Sequence, residues 1–512
     1  MAETPKSSDI PKRTGSWWSK NWFYTVLIAV AVIGGLSAFG LPLIVSQPFS
    51  AGDSISTLRQ AILAATGGVL AILTLWENRR KNIQEKEKND QDHTRQVHAE
   101  RRSRYAKAIE QLADEKAPIR LGGIYTLVKL VDEWLADEKT LPNEEERREE
   151  GQVIINSLCA YIRSPFDLVP KAEVSSQDKT PENYEGGDQQ FVKDQARFRE
   201  EQEIRHIILS EIKKRLNGDK VKNKEITPGT WSYFEYNFSD AHFFYAVNFN
   251  NSYFGASLNF LGATFTGYAS FSGATFTQVI FSGATFTQDA EFRLATFTTR
   301  TDFSRATFTQ VIFSGATFAW ADFYGAAFTQ AFFIGVTFTR ADFTRVSFTH
   351  ADFHRAAFTH DADFTMAAFT HDADFRWVTF THDADFTSAT FTGEASFIMA
   401  TFTGYASFIM ATFTRRTDFS GATFTGEASF LQGADFRRVT FHDEPSFIGV
   451  LGKARFSYKV IPEDYRFEVD PDSPCKIETE EKEYNGVKFR IPKGAILFDP
   501  DGSSEQKDDN DS

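Results

Sequence analysis

Phenylalanine returns every five residues, and sometimes every six, through 38 occurrences between Phe249 and Phe447. A period of five suits neither common element. It scatters side chains around a helix and throws them onto alternate faces of a straight strand. All the rings can point one way only if the backbone turns a corner in each repeat, which is the mark of a solenoid.

Alanine or valine stands two residues before nearly every ring, as in Ala263-Thr264-Phe265 and Ala321-Asp322-Phe323. In extended backbone these two positions share a face. The interior is therefore a stack of phenylalanines lined by small residues, and Thr, Ser, Asp and Gly point outward. Burying one Phe is worth about 1.5–3 kcal/mol, and backbone ordering of about 1–2 kcal/mol per residue opposes it. One repeat should not fold alone; stacked coils should. Thirteen of the 37 steps are six residues long, as from Phe265 to Phe271. The extra residue sits between intact units, so it should bulge at a corner. From Phe303 to Phe358 the spacing is strictly five.

With these residues in view, the chain resembles the pentapeptide-repeat proteins, whose pattern is A(D/N)(L/F)(S/T)x. The resemblance covers roughly residues 232–450 and implies a right-handed quadrilateral β-helix with four repeats per coil. Thirty-eight repeats then give about nine coils, a rod of about 45 Å at the strand spacing. The expected fold class is a mainly β solenoid with an N-terminal transmembrane helical hairpin and an α-helical connector. The expected segments are a cytoplasmic tail at 1–20, the two-span hairpin at 21–76, a charged helix and small helical connector at 77–165, and a linker and helix at 166–230. The β-helix follows at 231–450, a β cap at 451–498 and a disordered acidic tail at 499–512.

The hairpin rests on two apolar runs. No charged residue occurs from Asn21 to Gly52, and Trp22–Val45 supplies 24 residues, enough to span about 30 Å of hydrocarbon. Gln60–Trp76 supplies 17. Trp17, Trp18, Trp22, Tyr24 and Trp76 mark the borders, as interfacial aromatics do. Lys12, Arg13 and Lys20 precede the first run and Arg79, Arg80 and Lys81 follow the second, while the loop carries Asp53 and Arg59. The positive-inside rule then places both termini and the solenoid in the cytoplasm, and the family resemblance implies the inner membrane of a bacterial cell. Gly67 and Gly68 are expected to pack against Gly34 and Gly35.

After the hairpin, mixed charges from 77 to about 115 read as a solvated helix. Apolar residues at helical spacing follow: Tyr105, Ala108, Ile109 and Leu112, then Ile124, Leu127, Val128, Val131, Trp134 and Leu135, then Val153, Ile154, Leu158, Tyr161 and Ile162. The stretches Arg104–Leu112 and Arg120–Tyr125 look like the connector of bacterial membrane-anchored pentapeptide-repeat proteins. Residues 190–217 return to helix. Trp231, Tyr233, Tyr236 and Phe244 should cover the first coil, and strands through Phe456, Tyr458, Val460, Val487, Phe489 and Ile491 the last, since open β-edges invite self-association.

Residues 231–450 carry 11 Arg, no Lys and 20 Asp plus Glu, a net charge near −9. A basic nucleic-acid surface is absent there. Cys159 and Cys475 form neither a disulfide framework nor a zinc spacing. Thr-His-Asp-Ala-Asp-Phe occurs three times, at His360, His371 and His382. On a 22-residue coil His360 and His382 stack and His371 falls opposite. His360, Asp361, His382 and Asp383 are the candidates for a zinc or nickel site, but Asp before Phe is an ordinary outward residue, so a solvated ladder is expected and no metal or cofactor is assigned. No phosphate loop, nucleophile elbow or His-Glu-x-x-His motif occurs, and no enzyme is expected.

The reading is a membrane-tethered scaffold. Its partners are the lipid bilayer through residues 21–76 and a protein on the solenoid face, with no nucleic acid. The resemblance also carries a DNA-mimic reading aimed at a type II topoisomerase, which Arg300, Arg305, Arg340, Arg345 and Arg355 disfavour by interrupting the negative surface. It further carries a homodimer through the C-terminal end. A membrane-linked signalling or stress role is the third reading.

Overall fold

The computed structural model describes residues 17–44, 55–175, 177, 179–218, 226–425, 434–442, 444–449, 452–459 and 461–499. Lys12, Arg13, Asp53, Phe430, Val460 and the acidic stretch after Asp499 lie outside the described residues. The chain divides into two compact units, Met1–Arg102 and Ser103–Ser512.

In the first unit, helix α1 runs Trp17–Ile44, and the 58-residue helix α2 begins at Ile55 and runs to Leu112. Each contains a stretch long and apolar enough to cross a membrane. Arg59, expected in the loop, lies inside α2, with its guanidinium 5.5 Å from the centre of the Phe39 ring. The close approach between the helices also differs from expectation. A Cβ on Gly34 would meet Thr66 Cγ2 at 2.3 Å, whereas Gly35, Gly67 and Gly68 face open space. The neighbouring small residue is thus Thr66.

The second unit opens on the end of α2, where Ala108 and Leu112 are buried. Helices α3 (Ala117–Leu135) and α4 (Glu144–Arg163) follow, then a single turn α5 (Ala172–Ser175) and the long α6 (Gly187–Leu216). Pro118 in the first turn of α3 costs no hydrogen bond there. Asn143 caps α4, its side chain accepting from the Glu145 N–H at 3.0 Å. Val153, expected inside, is exposed; Ile155 and Cys159 take the core positions instead. The stripe on α4 is rotated because that face packs both on its helical neighbours and on the solenoid.

Arg205 holds this helical cap together. Its guanidinium donates to the Ile162 and Ser164 carbonyls at 2.7 Å, satisfying orphan acceptors at the C-terminus of α4. It also pairs with the buried Glu201 at 2.7 Å. The cap then meets the first coil. Gln152 and Glu235 exchange two hydrogen bonds, and Trp231 Nε1 donates to Asp132 at 2.8 Å. Trp231, Tyr236 and Phe244 are buried, but Tyr233 is 48% exposed, so covering the first coil falls to the helices more than to Tyr233.

From Tyr236 the chain winds as a parallel β-solenoid, each strand pairing with its counterpart one coil on. The inward rings form four columns, which begin at Phe238, Phe243, Phe249 and Phe254. The register advances 20 residues where spacing is strictly five (Phe308 to Phe328) and 22 where two extra residues enter (Phe358 to Phe380). The column from Phe254 to Phe456 makes nine ring-on-ring steps.

The four corners are of two kinds. After the Phe238 and Phe249 columns the chain makes a tight turn, closed by a hydrogen bond from the alanine N–H to the phenylalanine carbonyl, as from Ala263 to Phe260 at 3.0 Å. The residue before that alanine, or before the valine that replaces it at 346 and 378, has positive φ, either Gly262 (65°) or, against preference, Arg345 (58°), Met366 (57°) and Trp377 (61°). After the other two columns the strand runs through the corner, as in Thr296–Asp302, with bulges in register such as that between Phe318 and Trp320. Among the described residues, every six-residue step falls at one of these open corners and none at a tight one.

One coil of the ladder is longer than those before it. Phe424 belongs to the Phe254 column and Phe436 to the next, directly over Phe408. The ladder passes from Ala406 to Ala434, 28 residues on. The repeat centred on Phe430 lies outside the described residues. The columns then outlast the regular spacing: Phe456 stacks on Phe424 at 5.0 Å and Phe467 on Phe436 at 5.6 Å. Strand Ile496–Phe498 pairs with Arg455–Ser457, and a hairpin of Thr479–Tyr484 with Val487–Pro492 closes the end. Phe489 and Ile491 are buried in it, while Val487 is exposed.

Candidate interaction surface

What the solenoid offers a partner is set by its outward positions. The residue before each ring differs by column. Thr, Ser or Ala dominates ahead of the open corners, as at Thr296 and Thr317. Asp or Ser is frequent ahead of the tight ones, as at Asp322 and Asp342. The geometry supplies the reason. The Asp carboxylate accepts the N–H two residues on, from Tyr324 at 3.1 Å and from Thr344, Thr365 and Thr387 at 2.8 Å. That bond satisfies a backbone donor inside the tight turn, an Asx arrangement.

The histidines lie where the spacing puts them. His360 and His382 stack with centroids 4.8 Å apart and 4° between planes. His371 lies on the other sheet, its centroid 4.7 Å from that of His350 with the planes tilted by 30°, a ring whose Thr-His-Ala context hid it from the motif. The adjacent carboxylates reach along the axis. Asp383 accepts from the Tyr405 N–H at 2.9 Å and Asp372 from the Glu394 N–H at 3.0 Å, with a longer 3.4 Å bond from the Asp383 N–H to Asp361. His360, Asp361, His382 and Asp383 thus form ladders between coils, and among the described residues no three His, Cys, Asp or Glu side chains gather as a metal site. The two ladders stop at Gly393 and Gly404, where a Cβ would come within 2.2 Å of His371 C and 2.4 Å of His382 C.

Arginines that look scattered in sequence share a face. Four of the five, Arg300, Arg305, Arg340 and Arg345, flank the strand side ahead of one tight corner; Arg355 sits at the other tight corner. Between them lies the coil of Trp320 and Tyr324. Arg300 packs over the Trp320 ring at 4.7 Å and Arg340 at 5.6 Å, and Arg345 donates to the Tyr324 hydroxyl at 3.2 Å. Arg300 also pairs with Asp322 at 2.7 Å, and that hydrogen bond pushes its already high pKa further up.

Burial pushes the Cys159 thiol up to about 12, so the thiolate a nucleophile needs is scarce. Asp435, wholly buried, is tied to Arg437 at 2.7 Å, Arg466 at 3.4 Å and the Tyr405 hydroxyl at 3.0 Å. It serves as a coil-to-coil clamp.

Family comparison agrees with this geometry. Residues 281–327 and 386–431 match a model described as pentapeptide repeats (9 copies), and residues 333–365 match a second, pentapeptide repeats (8 copies). Among solved structures, the chain is similar to HetL, a pentapeptide repeat protein involved in heterocyst differentiation regulation from the cyanobacterium Nostoc sp. strain PCC 7120. The identity is 16% over 42% of this chain and 85% of that one, with a TM-score of 0.19. No curated protein matches the chain.

Proposed function

Given that the β-solenoid of this chain is a pentapeptide-repeat domain, we propose that the protein is a membrane-tethered scaffold that presents the solenoid to a protein partner. The observation that carries this reading is a pairing within one chain. Two helices apolar enough to cross a bilayer accompany a repeat domain whose described column phenylalanines face inward, leaving mostly polar ladders outside. Flat periodic surfaces of this kind suit extended binding. Arg79, Arg80 and Lys81 beyond the second apolar stretch, with Lys12, Arg13 and Lys20 before the first, favour both termini and the solenoid in the cytoplasm of a bacterial cell. The Arg-bearing face interrupts the acidic surface that mimicry of duplex DNA needs.

The test is alkaline extraction of membranes from cells expressing the full chain, with reporter fusions at each end. Retention in the membrane with both ends cytoplasmic is expected. Release into the soluble fraction sinks the tether.

A further inference from the structure

Resting on the scaffold reading, we propose that the face bearing Arg300, Arg305, Trp320, Tyr324, Arg340 and Arg345 is a docking site for an acidic segment of a partner protein. Three successive coils build it: a row with two Arg, a row with two aromatics, and a second row with two Arg. All four Arg are exposed, and Trp320 keeps 37% of its surface open to solvent. Trp, Tyr and Arg are the residue types over-represented among binding hot spots.

Charge argues for the occupant. The solenoid is near −9 overall, yet these rows hold four Arg against Asp302, Asp322 and Asp342. The three carboxylates accept from the N–H groups of Ser304, Tyr324 and Thr344. Among the described residues Arg300 alone of the four has a carboxylate at ion-pair distance. Arg305, Arg340 and Arg345 remain available to carboxylates brought by a partner. The outer rows lie two coils apart, about 10 Å, the reach of about three extended residues. Along the same corner the next two coils carry Asp361 and Asp383. A continuous phosphodiester backbone would run onto them, whereas a short acidic segment ends before them.

The experiment uses the full chain in detergent micelles and a fluorescent Glu-rich peptide with one central Phe, read by anisotropy. Saturable binding is expected that weakens with salt and falls at least about tenfold in Arg340→Glu/Arg345→Glu and in Trp320→Ala, a loss of about 1.4 kcal/mol. Arg355→Glu, on another corner, should bind as the parent does. Matched thermal melts by circular dichroism confirm that the variants fold. The proposal is overturned by absent binding, by an equal loss in Arg355→Glu, or by tighter binding of a single-stranded oligonucleotide. Binding that appears only after residues 500–512 are removed also overturns it, since the chain's own acidic end is then the occupant. Flotation of the same preparation with phosphatidylethanolamine–phosphatidylglycerol vesicles separates the two readings. Retained flotation without peptide binding removes the docking face and leaves the tether standing.

Discussion

The rings of Phe297 and Phe318, one coil apart, lie face to face with centroids 4.3 Å apart and 4° between their planes. Neither exposes more than 1% of its surface. Phe318→Ala leaves a cavity in a column that cannot collapse without shifting two coils, so a loss of about 3–5 kcal/mol is expected in urea unfolding. A cost below 1 kcal/mol would mean the column is loose.

The two kinds of corner make opposite demands on inserted residues. One alanine inserted between Thr339 and Arg340, at an open corner now spaced by five, should be absorbed as its neighbours absorb theirs. The same insertion between Thr344 and Arg345 breaks the Val346 N–H to Phe343 carbonyl bond and shifts every later ring. Thermal melts should show the first variant close to the parent and the second strongly destabilised. Equal melts would refute the distinction.

Substitutions at glycine-like positions should also split. Met366 holds φ at 57°, a region costly for any residue with a Cβ. Met366→Gly is expected to stabilise by about 0.5–1 kcal/mol. Gly393→Ala places a methyl 2.2 Å from His371 C and should destabilise by at least about 2 kcal/mol. Denaturant midpoints of the two variants should move in opposite directions.

Two aspartates, the buried Asp435 and the half-buried Asp352, should respond oppositely to pH. Burial alone would push the Asp435 carboxyl up, but hydrogen bonds from Arg437 and Tyr405 outweigh it and hold the pKa down. A lowered folded pKa adds stability above the unfolded value, near 4, that is lost as pH falls through the folded one. Asp435→Asn should therefore cost about 1–3 kcal/mol at pH 7, and less in acid. At Asp352 burial dominates, the Asp374 charge adds to it, and the pKa is raised. Its contribution is present below the unfolded pKa and lost as pH rises through the folded one. Asp352→Asn should equal or exceed the parent at pH 7. Unfolding curves at pH 7 and pH 4 decide both cases.

Removing Arg205 should open the helical cap. Arg205→Met leaves Glu201 buried with its closest cation gone and the Ile162 and Ser164 carbonyls without their donor, a loss of about 3–5 kcal/mol. Hydrogen exchange should rise in α4 and α6 first. Uniform exchange across the solenoid would contradict a local role.

The solenoid was legible because one residue type at one spacing admits a single inward arrangement. The placement of His360 over His382, with His371 opposite, followed from coil length alone. The difference between corners was also written in the chain, as Asp or Ser ahead of the rings at tight corners and Thr ahead of those at open ones, but its meaning needed the Asx bond. The 28-residue step from Ala406 to Ala434 was not legible, because the phenylalanine spacing through it is ordinary. The Arg face was hidden because Arg300 and Arg340 are forty positions apart and become neighbours only around Trp320.

Two corners of fixed length alternate with two that tolerate an extra residue. Single-residue gains and losses can therefore accumulate along two opposite edges without disturbing the aromatic interior. A lineage carrying this architecture can lengthen, shorten or re-decorate those edges one codon at a time while its core stays constant, so new binding specificities should arise there before anywhere else on the rod.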